Sequence, residues 1–180
     1  MPQRELLRRY IGPPLRQSFA EILGTEEDAL IERAVAAYRE RFTEAGIYEN
    51  RIYPDISEGL QSLKDRGHRL WVASAKPEVF ARRIIEHFSL APLFQRVYGS
   101  EPAGRNSDKA ALIAHVIERE RLAPSQVYMI GDRAQDIAGG RANGTRTVGV
   151  LWGYGSEQEI THARPDIIVD SMSALLAKLT

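Results

Sequence analysis

The sequence predicts an α/β fold, a parallel sheet of β-α units with a helical attachment at the N-terminus. Three observations predict it. From about residue 56 onward, short apolar runs alternate with segments of helical periodicity, which is the mark of successive parallel β-α units. Before residue 50 the apolar positions recur only at helical spacing. And 180 residues suffice for one good core with a small attachment. The expected division is residues 1–50 for the helical attachment and 51–180 for the α/β core.

Leu6, Leu7, Ile11, Leu15, Phe19, Ile22, Leu30, Ile31, Val35 and Tyr38 give the first segment its helical spacing, with breaks at Gly12-Pro13-Pro14 and Gly24-Thr25. After Tyr53-Pro54-Asp55 the pattern predicts a helix over 56–66, a strand over 69–73 and a helix over 77–88. A strand over 96–98, a helix over 109–121 and a strand over 127–130 follow. A helix over 134–142, strands over 145–150 and 167–169 and a C-terminal helix complete it. Gly-Tyr-Gly-Ser at 153–156 is expected to be the most mobile loop.

Composition excludes several classes. Twenty-four Lys and Arg balance 24 Asp and Glu, so no global charge draws the chain to nucleic acid or an anionic membrane, and any phosphate affinity must be local. With no cysteine there are no disulfides, thiolate catalysis or cysteine-bound metal centres, which fits a cytoplasmic protein. No apolar run reaches membrane-spanning length, and the charged start MPQRELLRRYIG lacks the apolar stretch of a secretory signal.

The chemistry concentrates where predicted strands end. Gly131-Asp132-Arg133-Ala134-Gln135-Asp136 follows the strand Val127 to Ile130, placing two carboxylates at its mouth, where ligands of open α/β sheets sit. Such a pair suits a hard cation such as Mg2+, with Gly131 allowing a tight turn. The bland alternative is a solvated loop with a helix-capping Asp. Ser74-Ala75-Lys76-Pro77 ends another strand, so a hydroxyl and N–H groups at a helix start could cradle an anion. Equally, Ser74 could simply cap the helix beginning at Pro77. Lys109 opens a helix after Ser107-Asp108, where the helix dipole disfavours a cation; it either serves a phosphate or carboxylates, or is solvated surface.

Taken in order, these motifs resemble those of the haloacid dehalogenase-like hydrolase superfamily, and within it the phosphoglycolate phosphatase-like group with a small helical cap. Ile11-Gly12-Pro13-Pro14-Leu15 and Ser18-Phe19 resemble the cap signature, and Tyr53-Pro54 the return to the core. Ala73 to Pro77, Ser107 to Lys109 and Gly131 to Asp136 resemble the second, third and fourth motifs, and Gly149 to Gly155 the loop that follows. The resemblance implies a three-layer Rossmann-like core and Mg2+-dependent hydrolysis of a small phosphorylated metabolite. It implies that Ser74 hydrogen-bonds the transferring phosphoryl group, that Lys109 stabilises its charge, and that Asp132 and Asp136 serve the metal. Ala75 and Lys76 beside the phosphate, and Arg16 from the cap, would read the substrate. Phosphoryl transfer needs such charge neutralisation and positioning.

The family's first motif, Asp-x-Asp-x-Thr, supplies its nucleophile and is found nowhere in these 180 residues; Asp55 and Asp166 precede no such pattern. The resemblance therefore also implies that the central strand, which separates the strands at 70–73 and 127–130, is lacking. Unpaired buried backbone groups cost about 1–3 kcal/mol each. The expectations are a chain start placed too late, a fragment completed by a strand from another chain through strand exchange or a homodimer, or a fold that has closed the gap. As written the chain is expected to be catalytically inert, the alternative function being a non-catalytic phosphate-binding or protein-interaction module.

Overall fold

The computed structural model describes residues 10–11, 15–100 and 108–179. The chain divides into two compact units, Met1–Asn50 and Arg51–Thr180. In the first, α1 (Leu15–Leu23) and α2 (Asp28–Glu44) pair, followed by a single 3-10 turn at Gly46–Tyr48. Phe19 meets Tyr38 edge-on at 6.0 Å and Tyr38 stacks on Phe42 at 5.8 Å, while Ile31 and Val35 are buried. The Gly12-Pro13-Pro14 part of the cap signature lies outside the described residues.

The second unit runs α3 (Ile56–Asp65), β1 (Trp71–Pro77), α4 (Glu78–His87), β2 (Arg96–Ser100), α5 (Lys109–Glu120) and β3 (Tyr128–Gly131). It continues with α6 (Ala134–Ala142), β4 (Arg146–Val150), α7 (Glu157–Ala163), β5 (Ile167–Val169) and α8 (Met172–Lys178). Every strand pairing is parallel. Helix α7 has no counterpart in the periodicity reading. Its start is nevertheless written locally, since Ser156 Oγ accepts the Glu159 N–H at 3.0 Å.

The strands form two sheets, β1-β2 and β3-β4-β5, rather than one. No strand among the described residues lies between β1 and β3, so the sheet is split at its centre. Leu63, Val148, Val150, Val169, Met172, Leu175 and Leu179 form one core cluster, and Tyr98, Leu112 and Val116 another. Burying each such side chain stabilises by about 1.5–3 kcal/mol. Asp166 secures the sheet edge: its Oδ2 accepts the Thr147 N–H at 2.7 Å and the Thr147 hydroxyl at 2.8 Å, joining the start of β5 to β4.

The expected strand over 69–73 is displaced, and β1 runs on to Pro77. Its pairing with β2 shifts after Ala73 so that Pro77 meets Ser100. The residues expected to be a strand-to-helix loop are therefore the strand's own irregular end.

Candidate active site

The C-terminal ends of β1 and β3 and the first turn of α5 build the site, all within the second unit. At the end of β1, Ser74 does not cap α4. Its Oγ accepts the Lys76 N–H at 3.1 Å, and α4, with Pro77 as its N-cap residue, has no side-chain cap. This local bond lies where the pairing of β1 with β2 shifts register, between Ala73 and Pro77. Ser74, Ala75 and Lys76 are all half-buried, and burial pushes the Lys76 ammonium below the ordinary lysine range.

Lys109 links β1 to α6, the helix that follows β3. Helix α5 is capped by Asp108, whose carboxylate accepts the Ala111 N–H at 2.9 Å. The next side chain turns inward: Lys109 Nζ donates to the Ala73 carbonyl at 2.9 Å and pairs with Asp136 Oδ1 at 2.9 Å. The side chains are only 9% and 7% exposed, so this is a buried ion pair. The cation in a first turn, unfavourable to the dipole, is thus explained by a partner 27 residues further on in the chain. Ser107 of the same motif lies outside the described residues.

The two acids after β3 have different surroundings. Asp136 gives one oxygen to Lys109, and its Oδ2 accepts the Arg133 N–H at 3.1 Å, so both oxygens are engaged by protein. Asp132 is half-buried, and its Oδ2 accepts the Tyr154 N–H at 2.7 Å. Its other oxygen has no hydrogen-bond partner among the described residues. The expectation that Gly131 serves a tight turn needs correcting, since its φ is not positive. Glycine is required for room: a Cβ there would lie 2.3 Å from Asp136 Cβ and 2.4 Å from its Oδ2.

The loop at 153–156, expected to be mobile, is anchored at both ends. Tyr154 donates to Asp132, and Ser156 caps α7. A Cβ on Gly153 would fall 2.2 Å from Asp132, so the loop lies directly against that carboxylate. Sequence reasoning missed Glu159, which accepts the Ala134 N–H at 2.8 Å and Arg133 Nε at 2.9 Å. Burial alone would raise its pKa, but the Ala134 N–H and the Arg133 guanidinium outweigh it and hold the carboxylate below the ordinary range. Ser-x-x-Glu at 156–159, a helix-start pattern, was the available signal.

Among the described residues no three His, Asp or Glu side chains converge as a metal-holding group. A lone carboxylate could hold a hard cation whose other ligands are water and phosphate. Asp132 offers that carboxylate. Arg16 belongs to the first unit, where Asp28 and Glu32 engage its guanidinium and raise its pKa.

A half-buried hydroxyl, a buried lysine and a half-buried carboxylate thus gather around the ends of β1 and β3 and the start of α5. The comparisons name the family: the haloacid dehalogenase-like hydrolase model matches residues 1–150, and the chain belongs to that family. A 5'-nucleotidase of Pseudomonas aeruginosa is 43% identical over 174 residues, covering 97% of this chain and 78% of that protein. A phosphoglycolate phosphatase of Psychrobacter arcticus is 30% identical over 146 residues, covering 81% and 64%. A crystal structure of a predicted phosphatase from Clostridium acetobutylicum superposes with a TM-score of 0.90 at 36% identity, covering 99% of this chain and 82% of that one. The α/β fold with its parallel strands is that of these hydrolases, and the phosphoglycolate phosphatase-like kinship expected from the motifs holds. No helix among the described residues is long and apolar enough to cross a membrane.

Proposed function

We propose that this chain carries the phosphate and metal half of a Mg2+-dependent phosphomonoesterase acting on a small phosphorylated metabolite, of the phosphoglycolate or nucleotide kind. The observation that supports it most is Lys109, whose ammonium joins Ala73 of β1 to Asp136 of α6. That places a fixed positive charge beside Ser74, where phosphoryl oxygens would gather charge.

In this reading the Ser74 hydroxyl donates to a phosphoryl oxygen, and Ala75 and Lys76 line the same pocket. Lys109 offsets the anion's charge, and Asp132 is the carboxylate that holds Mg2+. Asp136 serves the metal indirectly, by fixing Lys109 and the backbone of Arg133, because its oxygens are already bonded. Bound Mg2+ would neutralise phosphate charge and orient the ester. Arg16 stays with the cap, its charge balanced by Asp28 and Glu32.

The 180 residues alone are catalytically inert in this reading, because both oxygens of Asp136 are engaged and Asp132 is assigned to the metal, leaving no carboxylate of this pair as nucleophile. The test is hydrolysis of p-nitrophenyl phosphate with Mg2+, alongside Mg2+-dependent binding of inorganic phosphate by calorimetry. Phosphate binding that Asp132→Ala abolishes, without turnover, is the expected result. Absence of binding in both proteins would sink the site assignment, and turnover by the chain would overturn its inertness.

A further inference from the structure

The turn that carries Asp132 is gripped by a segment that follows it in the chain, Gly153 to Glu159. The loop end of the segment lies on Asp132 itself: the Tyr154 N–H donates to its Oδ2 at 2.7 Å, and a Cβ on Gly155 would collide with its carbonyl oxygen. The helical end takes hold of the next two residues. Glu159 Oε1 accepts the Ala134 N–H at 2.8 Å and Arg133 Nε–H at 2.9 Å, so one carboxylate oxygen fixes the first residue of α6 and the side chain before it. The Ala134 N–H is among the helix-start donors that find no acceptor within their own helix, and it is met here from α7.

Glu159 can hold this turn because α7 is itself tied to the sheet. Ile160, the next residue, is fully buried, and it packs so closely on β4 that a Cβ on Gly149 would collide with its Cγ2. Ser156 caps the helix by accepting the Glu159 N–H at 3.0 Å. Backbone and carboxylate of Glu159 are thus both anchored, one on the sheet side and one on the turn at 132–134. A cation held by one protein carboxylate has no second protein ligand to compensate for a displaced first, so its affinity follows the placement of Asp132. Groups that orient a metal ligand from behind typically change metal affinity 10–100-fold when they are removed.

We propose, resting on the reading of Asp132 as the carboxylate that holds the cation, that Glu159 is a positioning residue for that site. Through Arg133 and Ala134 it keeps the turn in the form that presents Asp132 to a divalent metal. A merely structural Glu159 would do no more than fasten α7 to α6, and the fold contains the control for that case. Arg141, in the last turn of α6, joins the same two helices by donating from Nη2 to the Ala163 carbonyl at 2.8 Å and to the Arg164 carbonyl.

The probe is Mn2+ alone, titrated into the 180-residue protein at pH 7 and followed by loss of the free-ion electron paramagnetic resonance signal. Wild type should bind Mn2+ at a site that Asp132→Asn abolishes. Glu159→Gln, of the same shape without the charge, should weaken that site about tenfold, as should Glu159→Asp, which keeps the charge and loses the reach. Arg141→Gln should stay within about twofold of wild type, although it also loosens α7 against α6. Wild-type affinity in both Glu159 variants would overturn the proposal and leave the metal assignment standing. An equal loss in Arg141→Gln would overturn it too, by making the effect a general loosening of the two helices. Wild type that binds no Mn2+, or whose binding survives Asp132→Asn, would overturn the assignment of Asp132 and this proposal with it.

Discussion

The two meeting places of the half-sheets differ sharply. At the C-terminal rim, β1 is tied to α6, the helix that follows β3, by a buried lysine: Lys109 reaches the Ala73 carbonyl on one side and Asp136 on the other. A few residues back along the same strands, nothing described bridges them, and a groove of about 530 Å3 separates the edges. The rim is held by side chains, which a helix such as α5 can deliver from outside the sheet. The strand edges can be joined only by another strand, because only an extended backbone presents N–H and C=O groups at the right repeat. The candidate chemistry lies on the braced side of this divide.

Lys109→Met breaks the comparison outright. It leaves Asp136 charged and buried without its cation, and should cost about 3–5 kcal/mol, read as a lower urea midpoint. A loss below about 1 kcal/mol would mean that the rim is not braced by this pair. Next in size is Gly131→Ala, whose new methyl would enter the space of the Asp136 carboxylate; a loss of about 1–3 kcal/mol in thermal unfolding is expected.

Glu159→Gln sharpens the comparison by probing the rim's outer support. The Glu159 pKa is depressed in the folded protein, so its contribution is fully present above the ordinary glutamate value of 4.5 and is lost as pH falls through the depressed one. Wild type should exceed the variant by about 1 kcal/mol at pH 7, and the two stability curves should merge on acidification below the ordinary value. A gap that persists unchanged to pH 2 would contradict the assignment. Smallest in stability is Asp132→Asn, expected within about 0.5 kcal/mol of wild type because the amide oxygen can still accept the Tyr154 N–H. Its Mg2+-dependent phosphate binding should nonetheless be lost in calorimetry.

What the sequence by itself determined is what short-range physics controls. Apolar periodicity placed α3 to α6 and β2 to β5 within a residue or two, and the helical first segment follows from spacing alone. Asp108 before Lys109 marked the start of α5 through its cap. The positions of Ser74 and Asp132 near strand ends, and of Lys109 at a helix start, were legible for the same reason. Tertiary structure alone decided what those residues touch. Lys109 finds Asp136 across 27 positions of chain, Gly131 is needed for a neighbour's carboxylate rather than for a turn, and the 153–156 loop is pinned by Asp132. Local pattern also could not show that β1 continues to Pro77, because that extension depends on a shifted pairing with Ser100. Each of these rests on a contact between segments distant in sequence, whose energy no local periodicity encodes.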